Sequence, residues 1–195
     1  MNDITVCIPT IPPRAGFLTR ALTSVLDQTL GATQIIVTSD VHREGPAALR
    51  NRMLQQVRTK YVAFLDDDDE MLPKHLELLR GCAELTGADL VYPWFTVLQG
   101  GVDTGVDPLM RFGLPFDPQH LDIANYIPVT VLARAEMIRD VGGFVNRAEP
   151  PATTCEDWGC WLRMRDAGAT FVHLPERTWY WHWHGRNTSG RNDNW

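Results

Sequence analysis

No apolar run in this 195-residue sequence reaches the roughly 18 residues that a membrane-spanning helix needs. The opening MNDITVCIPT has neither a basic leader nor a signal-like hydrophobic stretch, so the expectation is a cytoplasmic protein without a membrane span. In that compartment the Asn187-Thr188-Ser189 sequon has no use. Basic residues are also in short supply: 18 Lys and Arg against 24 Asp and Glu leave a formal charge of −6. That balance disfavours a protein that holds nucleic acid or an anionic membrane mainly by charge, although a nucleic-acid substrate at a local patch stays open. The four cysteines, at 7, 82, 155 and 160, contain no CxxC pair, which argues against a zinc or disulfide framework and for small buried apolar residues.

What the sequence has is a core-forming composition, 44% hydrophobic, and a length suited to one domain. Strand and helix patterns alternate through the first half. Residues 4–9, 34–39, 61–65 and 89–95 read as buried strands, and 15–28, 46–58 and 73–85 as helices, the last opened by Pro73 in its first turn. Such alternation predicts a doubly wound, mostly parallel α/β sheet flanked by helices. Ligands of such sheets bind beyond the carboxyl ends of the strands, which puts Pro9-Thr10, Ser39-Asp40 and the aspartates 66–69 on one rim. From 99 to 127 the pattern breaks into Gly-, Pro- and Asp-rich sequence, long enough for a binding loop. A strand over 128–134, a helix ending at Gly142-Gly143, a helix over 156–167 and a strand over 170–174 follow, with no repeat and no linker.

Three stretches carry candidate chemistry. In YVAFLDDDDEMLP (61–73), adjacent carboxylates repel by roughly 1 kcal/mol per pair in water, and more in a cleft. A solvated turn explains most acidic runs, but this one directly follows a buried strand on the ligand-binding rim. It lacks the glycine of a calcium-binding D-x-D-x-[DN]-G loop. Mg²⁺ or Mn²⁺ held by one or two carboxylates and a substrate phosphate fits it better. In TCEDWGC (154–160), Thr154 is a candidate cap, and Glu156 and Asp157 fall in a first helical turn, where the dipole favours negative charge. The same adjacent pair suits a general base, with repulsion raising one pKa and the helix end lowering it. In YWHWHGR (180–186), alternation sets His182 and His184 on one face, as metal or phosphate ligands or as a chance pair, and Trp181 and Trp183 on the other. Arg186 and Arg191 nearby suit diphosphate or are simply solvated.

With these motifs in place the chain resembles the GT-A glycosyltransferases, specifically the inverting family 2 type, over nearly its whole length. VCIPTIPPRAGFLTRALTSVLDQTL resembles that family's opening strand and helix, and GPAALRNRML its Gly…Ala-Arg-Asn stretch. YVAFLDDDDEMLPKHLELL matches its Asp-x-Asp strand and following helix, and VGGFVNRAEPPATTCEDWGCWLRMRDAGA its Gly-Gly-Phe and Glu-Asp block. The second strand departs from the pattern, reading VTSDVHREGP where Asp-Asp-Gly-Ser is usual.

The resemblance implies a single GT-A domain, residues 1–98 binding a nucleoside-diphosphate sugar and 99–195 the acceptor. It implies nucleotide-sugar contacts from Pro9, Thr10, Asp40, Arg50, Arg52, Asp66 and Asp67. Asp66 and Asp68 would be the Asp-x-Asp pair, Asp68 touching Mn²⁺ or Mg²⁺ and Asp67 taking that place if the register shifts by one. His184 or His182 would add a late metal ligand. Asp157, beside Glu156, would deprotonate the acceptor hydroxyl, with inversion at the sugar. The acceptor is a saccharide, a protein side chain, a small metabolite or a modified nucleobase. Two other readings are a non-catalytic nucleotide-sugar module, which needs no base at 157, and a sugar-nucleotide nucleotidyltransferase, whose Gly-rich basic loop is absent from PTIPPRAGF.

Overall fold

The computed structural model describes residues 3–105, 112–145, 148, 150, 152–153 and 155–184. The chain opens with β1 (Ile4–Thr10), buried at every position, and a 3-10 turn at Pro12–Arg14 that leads into α1 (Ala15–Leu26). It continues through β2 (Gln34–Ser39), α2 (Pro46–Leu54), β3 (Tyr61–Phe64), the short β4 (Glu70–Met71), α3 (His75–Thr86), β5 (Leu90–Gln99) and β6 (Val102–Asp103). The second half supplies α4 (Pro118–Ile123), β7 (Leu132–Arg134), α5 (Ala135–Asp140), α6 (Glu156–Asp166) and β8 (Phe171–Trp183). None of the described helices is long and apolar enough to cross a membrane.

The strands form one sheet in the order β2-β1-β3-β7-β5-β8-β4, with β6 on β5. Period-two alternation sorts their side chains onto two faces. Ile4, Val6 and Ile8 of β1, with Tyr61 and Ala63 of β3, pack on Ala21 and Val25 of α1 and Leu76 and Leu79 of α3. Cys7, Val62 and Phe64 point the other way, into a cluster with Leu49 and Met53 of α2, Ile138 of α5 and Trp161 of α6. The result is the expected α/β architecture with helices on both faces, and it corrects the sheet from mostly parallel to mixed. β1 runs parallel to β2 and β3, and β5 to β8, but β7 enters antiparallel between β3 and β5, and β4 is antiparallel to β8. The physical reason is the long excursion before β7, which returns the chain from the opposite end of the sheet.

Other boundaries also move. Residues 170–174 and the Trp/His stretch are one continuous strand, β8, paired along β5 as far as Gln99↔Trp183. Its alternation is as expected: Trp179 and Trp181 pack with Phe95 and Val97, Trp183 joins them partly buried, and the histidines lie on the other face. Helix α3 starts at His75 rather than Pro73, because Glu70–Met71 is spent on the sheet. Ser24 and Gln28 of the opening helical segment brace this connection. Ser24 Oγ accepts from Met71 N, while Gln28 donates to the Leu72 carbonyl and accepts from Leu76 N. Of the cysteines, Cys7 and Cys160 are buried, burial pushing both thiols up to about 12, while Cys155 is exposed.

Candidate active site

β1 and β2 end in register, Thr10 beside Ser39, and β3 runs out just before Asp66. This common ending delivers the acidic run to the rim and makes its members unequal. Asp67, Asp68 and Asp69 are buried, whereas the Asp66 side chain is 39% exposed. Thr10 Oγ1 donates to Asp67 Oδ2 at 2.6 Å. Arg14, from the turn after β1, donates from Nη1 to Asp67 Oδ1 at 2.9 Å and Asp68 Oδ2 at 3.0 Å. Asp69 Oδ1 accepts from His182 N at 3.0 Å, and burial with the nearby Asp68 and Asp66 charges holds its carboxyl well above the usual range. Asp69 thus ties the rim to β8.

The two histidines separate here. His184 Nε2 lies 2.9 Å from Asp68 Oδ2, its ring stacked on Phe17. His182 Nε2 lies 2.6 Å from Glu70 Oε1, which also receives Arg20. Burial and the Arg20 charge lower the His182 pKa against the pull of Glu70. His184, not His182, is therefore the imidazole placed on the aspartate run. Two ligands of an octahedral cation with bonds of about 2.1 Å stand about 3 Å apart, so Asp68 and His184 suit neighbouring positions around Mg²⁺ or Mn²⁺. No cluster of three candidate protein ligands occurs among the described residues, so water and substrate oxygens would complete such a site.

The other wall belongs to α6 and α2. Arg50 is buried on α2 and reaches in two directions, to Asp66 Oδ1 at 2.7 Å through Nη2 and to Glu156 Oε1 through Nη1. Burial opposes its charge, but Asp66, Glu156 and Asp157 more than offset this, and its pKa rises. Asp157, next to Glu156 in the first turn of α6, accepts from Trp158 N at 2.7 Å and Asn125 Nδ2 at 3.2 Å through one oxygen, Oδ1. Its carboxyl is pushed up to about 6, by burial first and Glu156 second, with Arg50 opposing. The contest between repulsion and the helix end is thus won by burial and repulsion at Asp157. A carboxylate poised near 6 is a proton acceptor at neutral pH.

The geometry brings Thr10, Arg50, Asp66, Asp67, Asp68, Glu156, Asp157 and His184 to one rim. It leaves others at its margin. Asp40 is buried, and its two oxygens accept from Glu44 N and Gly45 N, shaping the loop into α2. Arg52 is exposed and paired with Glu44, and Pro9 lies in β1 opposite Thr38. Thr154, Arg186, Arg191 and the sequon lie outside the described residues. Sequence reasoning missed Arg14, Arg20 and Asn125. The first two follow Thr10 on the same strand-turn-helix unit, an available signal, but nothing local marks Asn125.

Comparison with known proteins identifies the family and the fold. The pattern of glycosyl transferase family 2 matches residues 39–167, which hold the acidic run, Arg50 and the Glu156-Asp157 pair. Pre-mycofactocin glycosyltransferase of Mycobacterium tuberculosis is 30% identical over 204 residues, covering 89% of this chain. The chain spans 41% of that relative's length. Among solved structures, TarS of S. aureus in complex with UDP-GlcNAc aligns with a TM-score of 0.73 at 16% identity, over 99% of this chain and 62% of the other. The UDP complex of TarS gives 0.69 at 16% identity, over 94% and 61%. That likeness extends the shared fold across the whole sheet, and the family match covers the rim residues Arg50, Asp66–Asp68, Glu156 and Asp157, with Thr10 and His184 outside it. The chain belongs to glycosyltransferase family 2.

Proposed function

We propose that the protein transfers a glycosyl group from a nucleoside-diphosphate sugar to an acceptor hydroxyl, with Asp157 as general base and inversion at the anomeric carbon. The observation that carries this reading is Asp157 itself. It is a partly buried carboxyl with a pKa raised to about 6, joined through Glu156 and Arg50 to the aspartate run. Family membership and the UDP-GlcNAc complex of TarS support the donor class. In this division of labour residues 1–98 hold the donor, and 99–195 form the acceptor and catalytic half.

The acceptor oxygen gives its proton to Asp157 and bonds to the anomeric carbon as the bond from that carbon to the diphosphate oxygen breaks. The diphosphate leaves with the electron pair. Asp68 and His184 would hold a divalent cation, Mn²⁺ or Mg²⁺, which supplies positive charge beside the leaving diphosphate. Asp66 and Asp67 flank that place, Asp67 fixed by Thr10 and Arg14, and Arg50 keeps Asp66 and α6 in a constant relation. Asp157→Asn is expected to abolish release of nucleoside diphosphate while nucleotide binding, followed by calorimetry, changes less than about twofold. Turnover at the wild-type rate in that variant removes Asp157 as the base.

A further inference from the structure

One oxygen of Asp68 serves two partners. Arg14 Nη1 donates to Oδ2 at 3.0 Å, and His184 Nε2 lies 2.9 Å from the same atom. Among the described residues these two make the ion pairs of Asp68. Arg20 reaches the Asp68 backbone carbonyl instead, and Arg50 is engaged with Asp66 and Glu156. Arg14 ends the 3-10 turn that follows β1, and its side chain is 18% exposed. The same nitrogen, Nη1, also donates to Asp67 Oδ1 at 2.9 Å, while Thr10 holds the other oxygen of Asp67. Asp67 therefore has a second anchor, whereas at Asp68 the guanidinium sits on the oxygen that also faces His184.

That oxygen cannot serve Arg14 and a metal ion equally well. A divalent cation bonded to Asp68 Oδ2 at about 2.1 Å would lie within about 5 Å of Nη1 in its present seat, the sum of the two distances to the shared oxygen. Like charges at that range oppose each other strongly, even at a rim that solvent enters. Arginine does not deprotonate in proteins, so the conflict is relieved by movement and not by loss of a proton. We propose that Arg14 is the resident counter-ion of Asp68: it neutralises this carboxylate before substrate arrives, disfavours the cation alone, and turns onto the diphosphate when cation and nucleotide arrive together. Its long side chain supplies the reach, and its planar guanidinium matches phosphate oxygens. The nucleotide thus gives Arg14 a new anion as the cation takes the old one. This rests on Asp68 holding the cation and is independent of the base at Asp157.

A residue that only braced Asp67 and Asp68 would, when removed, loosen metal and nucleotide alike; a counter-ion that changes partners gives opposite signs. Calorimetric titration of the full chain reads both. Mn²⁺ without nucleotide is expected to bind Arg14→Gln about tenfold more tightly than wild type, because the competing charge is gone. UDP titrated at saturating Mn²⁺ is expected to bind Arg14→Gln about tenfold more weakly, the worth of one charge-assisted hydrogen bond. Arg14→Lys keeps the charge and loses the fork, so Mn²⁺ affinity stays near wild type while UDP affinity still falls. Mn²⁺ affinity unchanged or weaker in Arg14→Gln, or UDP affinity unchanged there, overturns the proposal. Asp68→Asn is run in parallel with UDP present. Mn²⁺ binding that survives in Asp68→Asn, or is missing from wild type, overturns the cation reading and this inference with it. Its loss there, beside an Arg14→Gln that matches wild type, overturns the role of Arg14 alone.

Discussion

Arg50 shows how one side chain joins two carboxylates that the sequence places ninety residues apart, Asp66 and Glu156. A buried ion pair gains little net stability, because desolvation consumes most of its Coulomb attraction. Its effect is on geometry and on charge: it fixes the start of α6 against the aspartate run and moderates the field at Asp157. The proton balance there is open to experiment. The Asp157 carboxyl is pushed up to about 6, so below that pH the proposed base carries a proton and cannot accept another. The kcat/KM of transfer is expected to fall about tenfold per pH unit below about 6 and to level off above it. Glu156→Gln removes the neighbouring negative charge and is expected to move this limb to lower pH. A limb that stays in place in Glu156→Gln assigns it to another group.

At the scale of elements, the Gly-Gly-Phe stretch after α5 is what seats α2 and α6 around that pair. Asn51, adjacent to Arg50 on α2, accepts from Phe144 N and donates to the Phe144 carbonyl, both at 2.8 Å. From α6, Arg163 donates to the carbonyls of Val141, Gly143 and Val145. The Phe144 ring packs on Phe64 and Trp161, which closes the core beneath Arg50. The two glycines contribute differently. Both have positive φ, +86° at Gly142 and +74° at Gly143, but a Cβ on Gly143 would lie 2.4 Å from Asn51 Oδ1, whereas one on Gly142 meets nothing within 4 Å. Gly142→Ala is expected to cost about 1–2 kcal/mol, the strain of a left-handed alanine. Gly143→Ala adds the broken clamp and is expected to cost about 1–3 kcal/mol more in urea unfolding. Equal losses in the two variants refute the clamp.

Legibility in the sequence follows the range of the interactions. Strands 4–9 and 34–39 and the helices after them were readable because their signals are local: alternation, apolar spacing and turn residues. The direction of β7 and the length of β8 were not, since both depend on partners far away, such as Leu98↔His182. At the site, the aspartates, Glu156-Asp157 and His184 announced themselves by residue type. Arg14 and Asn125 did not, because an arginine in a turn and an asparagine in a loop acquire meaning only from what the fold sets against them.

For the molecule as a whole, the site is a meeting of one sheet edge with α2, α6 and the end of β8, and its unliganded charge is strongly negative at Asp66–Asp68. A nucleoside diphosphate brought there alone would face carboxylates at a few ångströms, about 4 kcal/mol of repulsion per charge pair at 4 Å and an effective dielectric of 20. Arg14 offsets part of this from its seat on Asp67 and Asp68, and Arg50 another part at Asp66. A cation on Asp68 and His184 would supply the remainder, so nucleotide binding and metal binding should be linked. Binding to the native state alone stabilises by about 2.7 kcal/mol at a hundredfold excess over Kd. For a chain of this size that is a rise in Tm of about 5–10 °C. UDP is expected to produce such a rise with Mn²⁺ present and little or none in EDTA. Asp68→Asn and His184→Ala should each shrink the Mn²⁺-dependent part. An equal shift in EDTA would leave Arg14 and Arg50 as the diphosphate's counter-charges and remove the cation from the mechanism.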